Sequence, residues 1–370
     1  MSAPLILLAA GGTGGHVFPA EALAGELIAR GYRTALITDV RGKALGVTQA
    51  GLDLHVVPSA AMLGQGLLGR ARAAVTLARG FLASRKLLKR LEPAVCVGFG
   101  GYPSVPPVLA AQRLGLPTVL HEQNSVLGRS NRLLLERAKA LATSFAKTLA
   151  LPPQTPPITW LGNPVRAAIA SVPSFALPQE RFHILITGGS QGARVFGETI
   201  PSALAALPQV LRELLSVSHQ VRADAVAQAQ ETYRAAGIKA DCAPFFGDMA
   251  KRLTMAHLVI ARAGASTVAE LTAAGRPAIL VPLPGSADDH QTVNARALSD
   301  HGAAWLVEQA ELSNGGLTRR VTELLTNPAG LAEAAKAARA LAKPDAAARL
   351  ADLVLTCAAL PLTAVSGDAS

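Results

Sequence analysis

One local pattern constrains this chain more than any other: a short apolar strand that runs straight into glycines and then into a helix, and it occurs twice. The first copy is Leu5–Ala10 followed by Gly11-Gly12-Thr13-Gly14-Gly15; the second is Phe182–Thr187 followed by Gly188-Gly189-Ser190-Gln191-Gly192. A strand that is apolar on both sides must be covered on both faces, which is the condition of a parallel sheet between helices. Glycines allow positive φ and close approach of a ligand, and the start of the helix offers free N–H groups to an anion. After the first copy, the apolar runs Thr34–Thr38, His55–Val57, Ala94–Val97 and Thr118–Leu120 alternate with helical patterns that include Pro19–Ala29 and Ala71–Leu91. That alternation predicts an α/β, doubly wound parallel sheet.

The alternation breaks at Pro152, Pro153, Pro156 and Pro157, and again over Pro173–Pro178, before the second copy begins. Two similar openings joined by a proline-rich connector predict two Rossmann-like domains with parallel sheets facing a cleft, the two glycine loops opposite each other. The expected boundaries are 1–164 for an N-terminal domain and 165–345 for a C-terminal one. A final helix over 346–360 is able to pack back on the first domain, and 361–370 is a tail.

Composition narrows the function. At 370 residues the chain exceeds one comfortable core; half of it is hydrophobic and only 4% aromatic, so Ala, Leu and Val must build the core. A net charge of +10 points to something anionic: nucleic acid, a membrane surface or a phosphorylated substrate. No basic run is interleaved with aromatics, so a stacking surface for nucleic acid is not expected. Cys96, Cys242 and Cys357 lie far apart, with neither disulfide-framework nor metal spacing, which fits a reducing cytoplasm. Met1–Pro4 carries no basic segment, so the apolar run after it reads as a first strand rather than a signal peptide. No apolar stretch is long enough to span a bilayer, and membrane contact is expected to be peripheral.

The motifs carry the chemistry. The first loop does not fit a dinucleotide fingerprint, because Val17 stands where its third glycine would be, and no Walker lysine follows. Asp39, ending the second strand, is where a dinucleotide enzyme reads ribose, which keeps a nicotinamide oxidoreductase open. His16 heads the first helix, where the dipole disfavours an imidazolium, so it is the candidate general base. In the second half, Gly264 follows the strand Leu258–Ala261, and Ser266 or Thr267 can cap the next helix. Glu270 is then either a first-turn charge or an acceptor for two ribose hydroxyls. His121-Glu122-Gln123-Asn124 follows Thr118–Leu120, and Asp288-Asp289-His290-Gln291 with Asn294 follows Ala278–Val281; both suit a sugar and neither has metal-ligand spacing. Met62–Leu68 reads as an apolar, glycine-rich loop. In the helix after it Arg72, Arg79, Lys86 and Arg90 share a face opposite Leu77, Phe81, Leu88 and Leu91, a face that is either simply solvated or docks on anionic lipid.

In order along nearly the whole chain, these motifs resemble the MurG family, UDP-N-acetylglucosamine transferases that complete the bacterial cell-wall precursor lipid II. The resemblance rests on Gly11–Ala20, Gly98–Ser104, His121–Asn124, Gly162–Arg166, Gly188–Arg194, Arg262–Glu270, Asp288–Gln291 and Asn294. It implies the GT-B architecture, with UDP-N-acetylglucosamine (UDP-GlcNAc) in the C-terminal domain and the lipid acceptor in the N-terminal one. It implies inverting transfer of GlcNAc to the MurNAc C4 hydroxyl of undecaprenyl-diphosphate-linked muramyl-pentapeptide (lipid I). The expected place is the cytoplasmic face of the inner membrane, with no cofactor, metal or nucleic acid. Residue by residue, it implies that Thr13, Gly14, Gly15 and His16 face the reacting centre, with His16 catalytic. Ser190 would lie at the diphosphate, Glu270 at the ribose and Phe246 at the uracil, while Asn124, Arg166 and Gln291 line the sugar. Two departures stand out: Ala263 replaces a serine, and His290 replaces the first of a glutamine pair, leaving Gln291 to make that contact. A related glycolipid synthase, a UDP-GlcNAc epimerase, the nicotinamide oxidoreductase and a non-catalytic sugar-nucleotide binder are the alternatives.

Overall fold

A computed structural model describes residues 3–47, 49–60, 66–189 and 192–363. The chain divides into two compact units: Met1–Arg166 with Pro344–Ser370, and Ala167–Lys343. Unit 1 contains β1 (Leu5–Ala9), β2 (Arg33–Thr38), β3 (Leu52–Val56), β4 (Val95–Gly98), β5 (Thr118–Glu122), β6 (Ala140–Thr143) and β7 (Ile158–Trp160). They form one sheet in the order β3-β2-β1-β4-β5-β6-β7, parallel throughout. Unit 2 contains β8 (Phe182–Thr187), β9 (Leu215–Gln220), β10 (Lys239–Ala243), β11 (Leu258–Ala261), β12 (Ala278–Leu280) and β13 (Ala304–Leu306). Their order, β10-β9-β8-β11-β12-β13, is again all parallel and repeats that of unit 1.

The central strands are apolar on both sides because helices cover both faces. All five residues of β1 are buried, as are the last four of β8. The edge strands β3 and β7 expose Leu54, Val56, Ile158 and Trp160. In each sheet the order reverses beside the first strand. The loops after β1 and β4, and after β8 and β11, therefore lie at switch points beyond the strands' carboxyl ends, where open α/β sheets bind ligands.

The last helix, Ala346–Cys357, belongs to unit 1. Leu350, Ala351, Val354 and Leu355 are buried with Leu23 and Leu27 of the Gly14–Ala29 helix. Arg30 donates to Asp352 and to the Ala348 carbonyl, while the Tyr32 hydroxyl donates to the Pro361 carbonyl. In unit 2 the fully buried Arg276 guanidinium donates to the carbonyls of Pro173, Leu253 and Ala274, tying the connector to the helices Met249–Met255 and Ala265–Ala274. Burial without a carboxylate pushes its pKa down to about 10.

Three boundaries differ from the sequence expectation. The first helix begins at Gly14, not Pro19, and contains the proline. A Cβ at Gly14 would come 2.6 Å from the Phe18 ring, so glycine lets this first turn pack on its own aromatic. Strand β5 continues through His121 and Glu122, which pair with Ala142 and Thr143; polar side chains sit there because neighbouring groups satisfy them. The basic helix starts at Leu67, so Leu67 and Leu68 are helical rather than loop, and the rest of that apolar segment up to Gln65 lies outside the described residues.

Candidate active site

In unit 1 the β1 loop is held by a carboxylate. Asp39 Oδ1 accepts from the amides of Gly12 and Gly42, each at 2.9 Å, and Oδ2 accepts from Arg41 Nε at 3.1 Å. Although burial opposes ionisation, these donors hold Asp39 below the usual carboxylate range, so it is an anion. It therefore clamps the loop and caps the short helix at Val40–Lys43, and its oxygens are already engaged where a ribose reader would need them. Gly11 fits because a Cβ there would meet Pro103 at 2.7 Å and Asp39 Oδ1 at 2.9 Å.

Thr13 precedes the first helix in extended conformation, and its carbonyl accepts from the amides of His16 and Val17. Gly14 and Gly15 form the first turn, and half-buried His16 is its third residue. Gly100 and Gly101, both at positive φ, wrap the imidazole: a Cβ at Gly101 would lie 3.0 Å from Cδ2 and 3.2 Å from Nε2. On the other edge His16 Nδ1 lies 2.9 Å from Gln123 Oε1. Glu122, 2% exposed, organises the next loop: it accepts from the Asn124 amide at 3.0 Å, the Gly128 amide at 2.9 Å and Asn131 Nδ2 at 2.8 Å. Asn124 is thereby held just beyond β5. Arg166 places its guanidinium 4.5 Å from the centre of the Phe18 ring, one helical turn below Gly14. The unit therefore gathers Thr13, Gly14, Gly15, His16, Asn124 and Arg166 around the carboxyl ends of β1, β4 and β5.

In unit 2 neutral groups hold the matching loop. Gly189 N donates to Thr187 Oγ1 at 3.2 Å, Thr187 Oγ1 donates to Gln220 Oε1 at 2.6 Å, and Gln220 Nε2 donates to the Gly189 carbonyl at 3.2 Å. Gly188 admits no Cβ, which would fall 2.1 Å from the Ala193 amide nitrogen. Ser190, predicted at the diphosphate, lies outside the described residues.

The β11 loop leads into the helix Ala265–Ala274, whose cap position is Gly264. Ser266 and Thr267 lie within its first turn rather than capping it, and Glu270 is its sixth residue, so a first-turn charge is not its role. Ala263 is fully buried and its carbonyl accepts from Asn294 Nδ2 at 3.1 Å; the methyl group that replaces a serine faces the interior. Arg262 lies over the Phe196 ring and donates to the carbonyls of Val281 and Pro282 and to Gln309. Gln291 Oε1 accepts from the Leu283 amide at 3.0 Å, and half-buried His290 donates from Nδ1 to the Ala287 carbonyl at 2.7 Å. Phe246, 5% exposed, stacks under Arg252 at 3.6 Å beyond β10, whereas Phe245 is 62% exposed. The sequence offers no sign of Asp39 as a clamp or of Gln220, and it suggests Gln123 only as part of a sugar-facing polar run, whereas the structure turns Gln123 inward to His16 and His121.

The basic helix, Leu67–Leu91, exposes more than charge. Arg72, Arg79, Lys86 and Arg90 are exposed, and so are Leu68, Val75 and Leu82. These apolar residues recur every seventh position with Arg72, Arg79 and Lys86 four residues after each, so apolar and basic stripes run side by side. Among the described residues no helix is long and apolar enough to cross a membrane.

Residues 6–143 match the glycosyltransferase family 28 N-terminal domain and residues 183–350 its C-terminal domain. A Rhodospirillum centenum protein named UDP-N-acetylglucosamine–N-acetylmuramyl-(pentapeptide) pyrophosphoryl-undecaprenol N-acetylglucosamine transferase is 53% identical over 97% of this chain and 96% of its own length. A Rhodospirillum rubrum protein of the same name is 52% identical over 96% of this chain and 92% of its own. Among solved structures, MurG of Acinetobacter baumannii superposes with a TM-score of 0.75 at 33% identity, covering 96% of this chain and 99% of that one.

Proposed function

This chain belongs to glycosyltransferase family 28, in its MurG group with the GT-B fold, and from that premise we propose that it transfers GlcNAc from UDP-GlcNAc to lipid-linked N-acetylmuramyl-pentapeptide. The observation that carries the division of labour is the difference between the two loop clamps. Beneath the β1 loop an anionic carboxylate already occupies the Gly12 amide, which makes that loop a poor seat for a diphosphate. Beneath the β8 loop the clamp is Thr187 and Gln220, which engage the Gly189 amide and carbonyl but add no negative charge, so the dipole of the Arg194–Ala205 helix is left unopposed to attract an anion. The donor diphosphate accordingly goes to unit 2, with Ser190 at its phosphates, Glu270 at the ribose, Phe246 at the uracil edge and Gln291 at the sugar. The acceptor goes to unit 1, with Thr13, Gly14, Gly15, Asn124 and Arg166 near the reacting groups.

The chemistry is a single displacement. The acceptor C4 oxygen bonds to the anomeric carbon as the bond from that carbon to the diphosphate oxygen breaks, and UDP leaves carrying the electron pair. The hydroxyl proton passes to His16, whose one open ring nitrogen is Nε2. Fixed amide donors stabilise the charge growing on the diphosphate without reorganising at that moment. The exposed stripes of the Leu67–Leu91 helix suit peripheral docking on the anionic cytoplasmic face of the inner membrane, where a lipid-linked acceptor is found; apolar side chains insert and basic ones meet headgroups.

The test is UDP release from UDP-GlcNAc with and without undecaprenyl-diphosphate-linked muramyl-pentapeptide. Release that depends on this acceptor is expected. Turnover of donor alone would instead indicate an epimerase or hydrolase, and release only with another lipid would indicate a different glycolipid synthase.

A further inference from the structure

Gln123 touches two histidines, and a backbone carbonyl fixes which way its amide points. Its Nε2 lies 3.0 Å from the His121 carbonyl oxygen; a carbonyl only accepts, so this end is the amide nitrogen. The same nitrogen lies 2.9 Å from His121 Nδ1. On the far side of that ring, His121 Nε2 lies 3.1 Å from the Gly162 carbonyl, so the ring carries its proton on Nε2 and offers a lone pair at Nδ1. Every donor in this chain then has an acceptor. The amide oxygen of Gln123 is left facing His16 Nδ1 at 2.9 Å. An amide oxygen cannot donate, so the proton of neutral His16 resides on Nδ1 and the lone pair on Nε2. A neutral histidine side chain in water favours the opposite tautomer, so the surroundings reverse an intrinsic preference.

We infer that Gly162, His121 and Gln123 form a tautomer lock that makes Nε2 the proton-accepting atom of His16, with His121 and Gln123 as positioning residues. The inference deepens the proposed function and rests on its reading of His16 as the base. The lock holds still during turnover. His121 is fully buried, and burial pushes its pKa down to about 4, so it stays neutral, while the Gln123 amide does not titrate. Gly101 leaves the Nε2 edge open, since any Cβ there would crowd that nitrogen. When Nε2 takes the hydroxyl proton, the Nδ1–H bond to Gln123 becomes charge-assisted and supports the imidazolium with a neutral acceptor. The proton stays on His16, and nothing passes along the chain.

The experiment is nitrogen–proton correlation of the histidine rings in the 15N-histidine-labelled full-length protein, with the His16 signals assigned by their loss in His16→Asn. The wild type is expected to show His16 protonated on Nδ1. Gln123→Leu is expected to move the proton to Nε2 and lower kcat about 10- to 100-fold, by analogy with the loss of a partner that orients a metal-bound imidazole, with donor affinity unchanged. His121→Phe should do the same more weakly, because the His121 carbonyl still holds the amide. A merely structural role would lower donor affinity and kcat together and leave the tautomer alone. His16 protonated on Nε2 in the wild type overturns the lock whatever the variants do, and so does an unmoved tautomer in Gln123→Leu. If the tautomer moves as expected and kcat does not, the lock stands and the general-base reading of His16 fails.

Discussion

The two units repeat one strand order and one strand–glycine–helix opening, yet they anchor the glycine loop with opposite chemistry. Unit 1 uses Asp39, an anion that accepts from Gly12 and Gly42; unit 2 uses Thr187 and Gln220, which are neutral. The shared backbone motif therefore presents a different charge in each unit. A carboxylate under the β1 loop opposes a second anion there, whereas the neutral clamp under the β8 loop, although it engages the Gly189 amide, adds no charge against one. Unit 1 also carries the exposed basic and apolar stripes, and under the proposed function membrane, acceptor and proton transfer fall to that unit and the nucleotide to the other.

The largest effect expected from breaking this division is at His16. His16→Ala should lower kcat about 10²–10⁴-fold with donor affinity nearly unchanged, because the lost interaction belongs to the transition state. His16→Asn should be almost as inactive, since an amide does not take the proton; kcat and donor affinity measured with saturating acceptor decide it, and a substantially active Asn variant removes the base. Next comes the helix at Leu67–Leu91. Replacing Arg72, Arg79 and Lys86 together by alanine should cost about 3 kcal/mol of binding to anionic vesicles, at about 1 kcal/mol per basic residue. Vesicle sedimentation at low salt checks this, and unchanged binding would return the face to ordinary solvation. In unit 2, Glu270→Ala should weaken UDP binding by about 1.5–3 kcal/mol, the range for hydrogen bonds to a charged group, while leaving vesicle binding alone; calorimetry reads it.

Acid adds a separate distinction between the units. Burial holds His121 in unit 1 near about 4, and in unit 2 holds His183 near about 4, His219 near about 3 and His257 below its ordinary value of 6.5. Each is lower folded than unfolded, so the unfolded chain binds more protons between those values and 6.5. Stability is therefore fully present above 6.5 and is lost as pH falls towards 4. Three such residues against one predict that hydrogen exchange of the intact chain, compared at neutral pH and near pH 5, accelerates more in unit 2 strands than in unit 1 strands. Equal acceleration would mean that these histidines do not dominate acid sensitivity.

The fold was legible where strands are continuously apolar and end in glycine: β8 and β11 have the expected ends, and β1 differs by one residue. The helix starts were less so. Pro19 favours a first-turn position by local preference, but packing of Gly14 on Phe18 begins the helix earlier. Of the site, the glycine loops and His16 could be found by position alone. The role of Asp39 could not: a carboxylate after the second strand suits a ribose equally well until the Gly12 amide, 27 residues away, is found on it. Gln123 stood within a polar run, but the partners of an amide depend on strand β5 extending two residues further than propensity indicates. Glu270 was read against a helix start that the backbone sets at Ala265.

If the β8 loop holds the donor diphosphate and the β1 loop serves the proton, calorimetric UDP binding to three proteins separates the two roles. These are the wild type, His16→Ala and Gly189→Val, the last placing a β-branched residue where the backbone requires φ of +81°. Wild-type affinity is expected for His16→Ala and a large loss for Gly189→Val. A His16→Ala protein that loses UDP while Gly189→Val retains it would reverse the two loops' roles.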